Sequence, residues 1–191
     1  MNKFHQVAAL AAAAVAATLI AVPAAHAAER PSCPTPSKAE AKRARAAEAD
    51  RPPRGATAIK GVRANHIPKG FTNGEVNVDK HDGVAEYGYM WTDDRSDIDR
   101  KRKLLWVRVV CWPKARTLAD LRKAPLQLGT FSSDAKTATI GGRKVLTKVG
   151  DGALGPGRYA GWVERDGVMV TVMASQPLVP QLDEIIEGIR L

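Results

Sequence analysis

From Gly55 onward, short stretches of alternating apolar and polar residues are separated by residues that favour turns. This pattern predicts β-strands, because alternate side chains of a strand point to opposite faces of a sheet. Leu104–Trp112 is almost continuously apolar and β-branched or aromatic, as expected for a central strand covered on both faces. The predicted strands are 56–64, 75–79, 84–91, 104–112, 136–140, 143–149, 158–165 and 168–174.

The chain ends in a segment with helical spacing. In Pro177–Ile189 the apolar residues Leu182, Ile185, Ile186 and Ile189 fall on one helical face. A helix with one apolar stripe must bury it, and the preceding strands supply the nearest surface. We therefore predict an α+β fold, with an antiparallel sheet that is flat or curved and a C-terminal amphipathic helix packed on one of its faces.

Two loops join pairs of predicted strands closely. Gly141-Gly142 separates one pair, and Asp166-Gly167 separates the last pair. An Asp-Gly pair between strands predicts a β-hairpin with a type I′ turn, in which both central residues have positive φ. Short hairpins of this kind indicate antiparallel neighbours.

Residues 28–55 have a different composition, with Pro, Ala and charged residues and scarcely any large apolar side chain. Such a segment cannot build a core. Ser37 and Glu40 have the spacing of a helix capping box. We predict a flexible charged linker that is helical in part, followed by a single α+β domain over residues 56–191.

The first 27 residues have the pattern of an export signal. Lys3 precedes an apolar run from Val7 to Val22, and Ala25-His26-Ala27 resembles a signal peptidase site. The run is short and Ala-rich beside the roughly 20 apolar residues that span a bilayer, although an uncleaved N-terminal anchor is the alternative. Cleavage after Ala27 would leave a secreted chain without a membrane span.

The charge of that mature chain is positive. Removing Lys3 with the leader leaves 28 basic and 20 acidic residues, a net charge of +8. Outside a cell, a basic surface favours anionic envelope polymers or lipid surfaces rather than nucleic acid. Solubility alone also explains such a charge.

The two cysteines, Cys33 and Cys111, are predicted to form a disulfide in an oxidising compartment, with free thiols as the alternative. The chain-entropy model gives this link about 4 kcal/mol of stability.

Catalytic and metal chemistry has little support. The acidic cluster Asp93, Asp94, Asp97 and Asp99 lacks the ligand spacing of a calcium loop, so we predict no metal and no cofactor.

The aromatic residues form two stripes at strand spacing. Tyr87, Tyr89 and Trp91 share one face of their strand, and Trp106, Arg108 and Trp112 share one face of the next. If the two faces coincided and were exposed, they would form a binding surface for a sugar or polymer. A hydrophobic core with Arg108 at its rim is the interpretation we favour.

Several of these features together resemble known proteins. The Pro68-Lys69-Gly70 turn, the Gly-Gly turn and Trp162–Val172 leading into a final helix resemble small exported actinobacterial proteins of unassigned function. They are also similar, more loosely, to lipoprotein-carrier-like sensor domains with a curved sheet. The resemblance covers residues 56–191 and implies a secreted setting and, through the carriers, a hydrophobic cavity.

Two hypotheses for function follow. The first is a secreted, non-enzymatic binding or interaction module at the cell envelope, with an anionic envelope polymer, a lipid-like ligand or a protein as its partner. The second is an envelope hydrolase in which His66 or His81, both in predicted loops, acts as a base beside an acidic residue. We favour the first and assign no catalytic residue.

Overall fold

A computed structural model describes residues 32–96, 98–132, 134–150 and 155–191. The predicted export signal at residues 1–27 lies outside the described residues, as do Asp97 and the first four residues of the predicted linker. The strands are β1 Ala49–Asp50, β2 Arg63–Ala64, β3 Asn73–His81, β4 Val84–Thr92, β5 Leu104–Cys111, β6 Lys136–Ile140, β7 Arg143–Gly150, β8 Gly157–Arg165, β9 Val168–Ser175 and β10 Ile189–Arg190. The α-helices are α1 Lys38–Arg45 and α2 Leu182–Gly188, and 3₁₀ helices span Leu118–Arg122 and Gln176–Gln181.

Eight strands form one open antiparallel sheet in the order β1-β3-β4-β5-β9-β8-β7-β6. The continuously apolar strand β5 lies in the middle, and seven of its eight residues are buried. A strand with apolar side chains on both faces needs cover on both. The predicted α+β fold is confirmed, and the predicted central strand is correct.

The sheet has two buried faces with different covers. We call the first the helix face, because α2 packs on it through Leu182, Ile185 and Ile186. We call the second the loop face, because the connection from Trp112 to Ala135 covers it, with Leu121 and Phe131 in the core. The helix prediction is confirmed, although Ile189 belongs to the short strand β10, which pairs with β2.

The hairpin turns follow the glycines but not always in the predicted geometry. Both residues have positive φ in Gly141-Gly142 and in Asp82-Gly83, as a type I′ turn requires. In Asp166-Gly167 only Gly167 has positive φ, and the register shifts between Val163 and Arg165. The hairpin is therefore present, but the type I′ prediction is wrong, because a bulge in β8 supplies part of the twist that the turn would otherwise provide.

Two predictions about the N-terminal half need correction. The predicted strand 56–64 is a series of turns that reaches strand geometry only at Arg63–Ala64. Residues 32–55 are not separate from the domain, because Ser32–Leu191 forms one compact unit and β1 pairs with β3. The capping box of α1 is present as predicted, with Ser37 and Glu40 bonding each other's backbone N–H.

Candidate functional site

The stripe of Tyr87, Tyr89 and Trp91 lies on the helix face and is buried, with at most 2% of each residue exposed. Tyr89 and Trp91 pack edge to face, with ring centroids 4.7 Å apart. These residues do share one face of β4, but they belong to the core. The binding surface predicted from them is therefore not exposed to a ligand.

The polar ends of this stripe bind the chain's own N-terminal segment. The Tyr87 hydroxyl donates to Glu40 Oε1 at 3.0 Å, and the Tyr89 hydroxyl donates to Asp50 Oδ2 at 2.9 Å. The indole of Trp91 donates to the carbonyl of Arg54 at 2.7 Å. The same hydroxyls accept hydrogen bonds from backbone N–H groups, Tyr87 from that of Lys60 and Tyr89 from that of Arg54. The segment from Glu40 to Lys60 thus binds the polar groups of the aromatic stripe.

Ionic contacts explain why a charged segment docks at a core. Arg54 lies 2.9 Å from both Glu40 and Asp50, and Arg43 also pairs with Asp50. Partial burial disfavours the charged form of Glu40, but its hydrogen bonds from Ser37, Tyr87 and Arg54 lower its pKa overall. Burial raises the pKa of Tyr87 and of Tyr89 to about 12, so both stay neutral donors. The amino-acid composition of this segment suggests that it is solvated, because composition does not reveal its ion pairs or its hydrogen bonds to the tyrosines.

Trp106, Arg108 and Trp112 belong to the opposite, loop face. In the β4–β5 register Tyr87 and Tyr89 lie opposite Val109 and Val107, whereas Trp106 and Arg108 lie opposite Met90 and Gly88. The two aromatic stripes therefore do not coincide, and the predicted combined surface is wrong. All three residues are buried, with 3–9% exposed. The sequence does not specify the strand register that decides this.

Arg108 is the centre of a buried polar network on the loop face. Its Nη1 donates to Glu86 Oε2 at 2.6 Å, and its Nε donates to Thr171 Oγ1 at 3.0 Å. Its Nη2 donates to the backbone carbonyl of Leu128 at 2.9 Å. Burial lowers the pKa of Arg108 from its usual value, while pairing with Glu86 opposes that shift. The guanidinium therefore holds the loop at Leu128 against the sheet.

The neighbours of Arg108 on the sheet leave room for its buried side chain. Gly88 lies directly opposite Arg108, and a Cβ at that position would be 2.8 Å from Arg108 Cγ and 2.5 Å from the carbonyl of Val107. The Arg108 guanidinium carbon lies 4.1 Å from the ring centroid of Trp106, a cation–π contact. Arg108 is therefore fixed from several sides rather than lying at the rim of a core.

His81 ties the end of β3 to the same loop. Its Nε2 donates to the carbonyl of Pro125 at 2.6 Å, and its Nδ1 lies 3.0 Å from Asp79 Oδ2. The hydrogen bond to Pro125 raises the pKa of His81, desolvation opposes this, and the carboxylates of Asp79 and Glu86 raise it further. Nε2 therefore carries the proton of the hydrogen bond to Pro125, and Nδ1 faces a carboxylate.

A cavity of about 280 Å³ opens beside this network, between β3, β4, β5 and the loop. Trp106 and Arg108 are the two predicted site residues that line it. Glu86 and Gly88 contribute from β4, and Leu128 contributes from the loop. The full lining is Ala44, Val76, Asn77, Val78, Asp79, Glu86, Gly88, Trp106, Arg108, Gln127 and Leu128.

Three residues of this lining carry buried polar atoms without hydrogen-bond partners among the described residues. They are Trp106 Nε1, Glu86 Oε1 and Asn77 Oδ1. His81 Nε2 lies 3.7 Å from Glu86 Oε1, which is too long for a hydrogen bond. Buried polar atoms are almost always paired with protein, water or ligand. These three atoms are enclosed by the protein and are not part of the cavity surface.

Cys33 and Cys111 form the predicted disulfide, with Cα atoms 6.1 Å apart. His66, the other candidate base, has no ion pair in the part of the chain that the structure describes, and its Nε2 is buried without a hydrogen-bond partner there. Asp93 and Asp99 of the acidic cluster pair with Arg95, and Asp97 is outside the description. Within the described ranges, no three His, Cys, Asp or Glu side chains are grouped closely enough to hold a metal.

Sequence reasoning did not single out Glu86, Asn77 or Gln127. A signal for Glu86 was present, because a carboxylate within the apolar stretch 84–91 and an arginine within the apolar stretch 104–112 are both unusual in buried strands. Two opposite charges in neighbouring buried strands indicate an ion pair. Asn77 and Gln127 have no comparable signal, since polar residues in a half-buried strand or a loop are ordinary.

Comparisons with known proteins do not name a family. No family model matches the chain, and neither the curated proteins nor the solved structures contain a significant match. None of the helices in the described ranges has the length and apolar character needed to cross a membrane. The function is therefore proposed from the geometry of the cavity.

Proposed function

We propose that this protein is an exported, non-enzymatic binding module that holds a small ligand in the cavity on the loop face. The observation that carries the proposal is the cavity of about 280 Å³, whose lining combines the apolar side chains of Val76, Val78 and Leu128 with the paired charges of Glu86 and Arg108. Ligand sites combine apolar walls with a few convergent polar groups. This cavity has both.

Rigid support of the lining favours binding as the role. Arg108 and Glu86 are fixed by a buried ion pair, and Arg108 also fixes the loop carbonyl at Leu128. A site whose groups are already held in place loses less conformational entropy when a ligand binds. The disulfide supports the exported setting, because such bonds persist in oxidising compartments.

The hydrolase alternative with His81 as the base is disfavoured by the contacts of that side chain. His81 does lie beside the carboxylate of Asp79, but its Nε2 donates to the Pro125 carbonyl and so has no free lone pair. A general base needs a free lone pair within reach of the proton it removes. His81 is better suited to a structural role, in which its hydrogen bond to Pro125 joins β3 to the loop.

A ligand-retention experiment tests the proposal. The purified, oxidised protein is incubated with an extract of small molecules from the cell envelope, separated from free compounds by gel filtration, and its retained compounds are identified by mass spectrometry. Gln127→Trp places a large side chain at an exposed position of the cavity lining, and Gln176→Trp makes the same change at an exposed position outside it. We expect retention by the wild type and Gln176→Trp but not by Gln127→Trp.

Two outcomes would count against the proposal. Equal retention by Gln127→Trp and the wild type would show that the cavity is not the binding site. A wild-type protein that retains no compound from the extract would remove the small-ligand role. Retention is expected to persist at high salt, because groups inside the cavity are less screened than exposed charges.

A further inference from the structure

We propose that β6 joins two copies of this chain, by pairing antiparallel with β6 of a second copy so that one sheet runs through both. β6 is the last strand of the eight-stranded sheet, and no strand in the described ranges pairs with its outer side. The other edge is less available, because β1 has only two residues and α1 packs beside β3. The proposal does not depend on the cavity, which lies at β3, β4 and β5.

The backbone of β6 presents hydrogen-bonding groups on its outer side. A turn of two glycines joins β6 to β7, with Ile140 opposite Arg143. In a hairpin of this kind the closing pair exchanges backbone hydrogen bonds, and every second pair before it does the same. The N–H and C=O groups of Thr137 and Thr139 therefore point away from β7. Outward groups on an edge strand are a template for pairing with a further strand.

A two-fold pairing centred on Ala138 uses these outward groups. It places Thr137 of each copy opposite Thr139 of the other, so that both threonine pairs exchange backbone hydrogen bonds. Threonine pairs across strands are favourable, and Lys136 lies opposite Ile140 rather than opposite a like charge. β6 contains no proline, and its register with β7 runs without a bulge, so neither of these features blocks the edge.

The charges at the two ends of β6 favour a second copy as the partner. Lys136 is exposed and lies on the helix face, because Ala138, two residues further on, packs against the core of that face. At the other end of β6, Asp183 of α2 accepts a hydrogen bond from the glycine turn. Glu184 and Glu187 of α2 are exposed, as is Asp183. The proposed pairing brings Lys136 of each copy to this acidic end of the other.

Charge substitutions at the two threonines test the pairing and its register together. Sedimentation velocity of the purified, oxidised protein from about 1 µM to about 1 mM measures association. We expect a reversible dimer within this range, because a short strand makes a small interface. Thr137→Lys/Thr139→Lys places like charges opposite each other and should weaken the dimer about tenfold or more. Thr137→Glu/Thr139→Lys places opposite charges there and should associate at least as tightly as the wild type.

The two double variants are matched within the folded chain. Both place a lysine at position 139, opposite Lys144 of β7, and they differ only at position 137, opposite Leu146. Thr137 and Thr139 are both exposed, so the substitutions leave the core unchanged. A difference in association between the two variants therefore reports the contact between copies.

A single substitution tests the charge complementarity separately. Lys136→Glu reverses the charge that faces α2 of the second copy, and it should weaken the dimer. Lys80→Glu makes the same change at an exposed position of β3 and should leave association unchanged. This pair keeps the test valid if the double variants do not fold. Equal association of the two single variants would overturn the contact between Lys136 and α2.

The remaining contrary outcomes concern the interface itself. A wild type that is monomeric at every concentration would overturn the proposal and would favour a strand of a different protein as the occupant of this edge. Association of Thr137→Lys/Thr139→Lys equal to that of the wild type would place the interface elsewhere. Equal weakening in both double variants would overturn the register centred on Ala138. Because none of the substituted residues lines the cavity, ligand retention tests the proposed function independently.

Discussion

At the scale of single residues, the buried pair of Arg108 and Glu86 is the feature with the largest expected effect on stability. Arg108→Met leaves the Glu86 carboxylate buried without its partner, and removing one member of a buried pair costs about 3–5 kcal/mol. We expect the free energy of unfolding, measured by urea denaturation, to fall by this amount. The double variant Glu86→Leu/Arg108→Met should recover most of the loss, because apolar residues can replace a buried pair.

A matched control for this prediction lies at an exposed ion pair. Arg95 is half exposed where it pairs with Asp99, and surface pairs contribute little to stability. Arg95→Met should therefore leave the urea midpoint unchanged. If Arg108→Met is no more destabilising than Arg95→Met, or if the double variant is less stable than Arg108→Met, the buried pair does not have the role assigned to it.

The two tyrosines of the helix face provide a second residue-scale prediction. Burial raises the pKa of Tyr87 and Tyr89 from 10.0 to about 12. The folded state thus disfavours tyrosinate, so their contribution to stability is complete below pH 10 and is lost as the pH rises from about 10 to about 12. Ultraviolet titration should show two late-ionising tyrosines in the folded protein, and Tyr87→Phe or Tyr89→Phe should each remove one. Ionisation of all tyrosines near pH 10 without unfolding would contradict this.

At the scale of elements, His81 joins β3 to the loop after the 3₁₀ helix Leu118–Arg122. Its pKa is raised in the folded protein by the Pro125 carbonyl and, against desolvation, by Asp79 and Glu86. Folding therefore favours the protonated ring. The stabilisation is complete below the ordinary His value of about 6.5 and is lost as the pH rises through the elevated folded value. Each unit of elevation corresponds to about 1.4 kcal/mol.

Urea denaturation at a series of pH values measures this effect. The wild type should lose stability as the pH rises above 6.5, the ordinary His value, and His81→Gln should remove that component of the decline. His66→Gln is the control, because His66 has no ion pair among the described residues, and the wild-type decline should persist in it. A decline that persists in His81→Gln and disappears in His66→Gln would show that His66, and not His81, is the titrating group.

At the scale of the whole molecule, the Cys33–Cys111 disulfide connects the N-terminal segment to the end of β5 across 78 residues. Closing a loop of this length restricts the unfolded chain, which in the entropy model is worth about 4 kcal/mol. Cys33→Ser/Cys111→Ser should lower the free energy of unfolding by about that amount. The Arg54 and Lys60 amides, which donate to Tyr89 and Tyr87, should also exchange with solvent faster.

Reduced wild-type protein is the appropriate comparison for this variant. Its urea midpoint should match that of Cys33→Ser/Cys111→Ser, because neither has the covalent link. An equal midpoint for oxidised and reduced wild type would show that the link adds no stability. Unchanged exchange at Arg54 and Lys60 would show that the docking of the N-terminal segment does not depend on the disulfide.

Local patterns predicted most of the elements. The strand periodicity of 84–91 and 104–112 and the helical spacing of Leu182, Ile185 and Ile186 depend on short-range alternation, and the structure has them in place. The wrong predictions fall on segments whose structure depends on contacts with other elements of the fold. Residues 56–62 form turns although they are apolar enough for a strand, and residues 32–55 pack on the domain although their composition indicates a solvated linker.

For the candidate site, too, local patterns predicted some features, and contacts between distant residues decided the others. The pattern put Trp106 and Arg108 on one face of their strand, and both line the cavity. It did not show that Tyr87, Tyr89 and Trp91 face the other side of the sheet, because a change of one residue in the β4–β5 register reverses which faces coincide. Glu86 and Gln127 reach the cavity from a different strand and from a loop, and single-strand periodicity contains no information about such contacts.

By itself, the sequence determined most of the strands, the C-terminal helix, the capping box of α1 and the pair of cysteines, because these depend on the period of apolar residues, on local hydrogen bonds and on residue type. The tertiary structure alone decided that the aromatic stripe of β4 holds the N-terminal segment and that Arg108, Glu86 and Trp106 surround a cavity. The physical reason is that the cavity is formed by contacts between residues far apart in the chain, and their positions depend on strand register and loop packing.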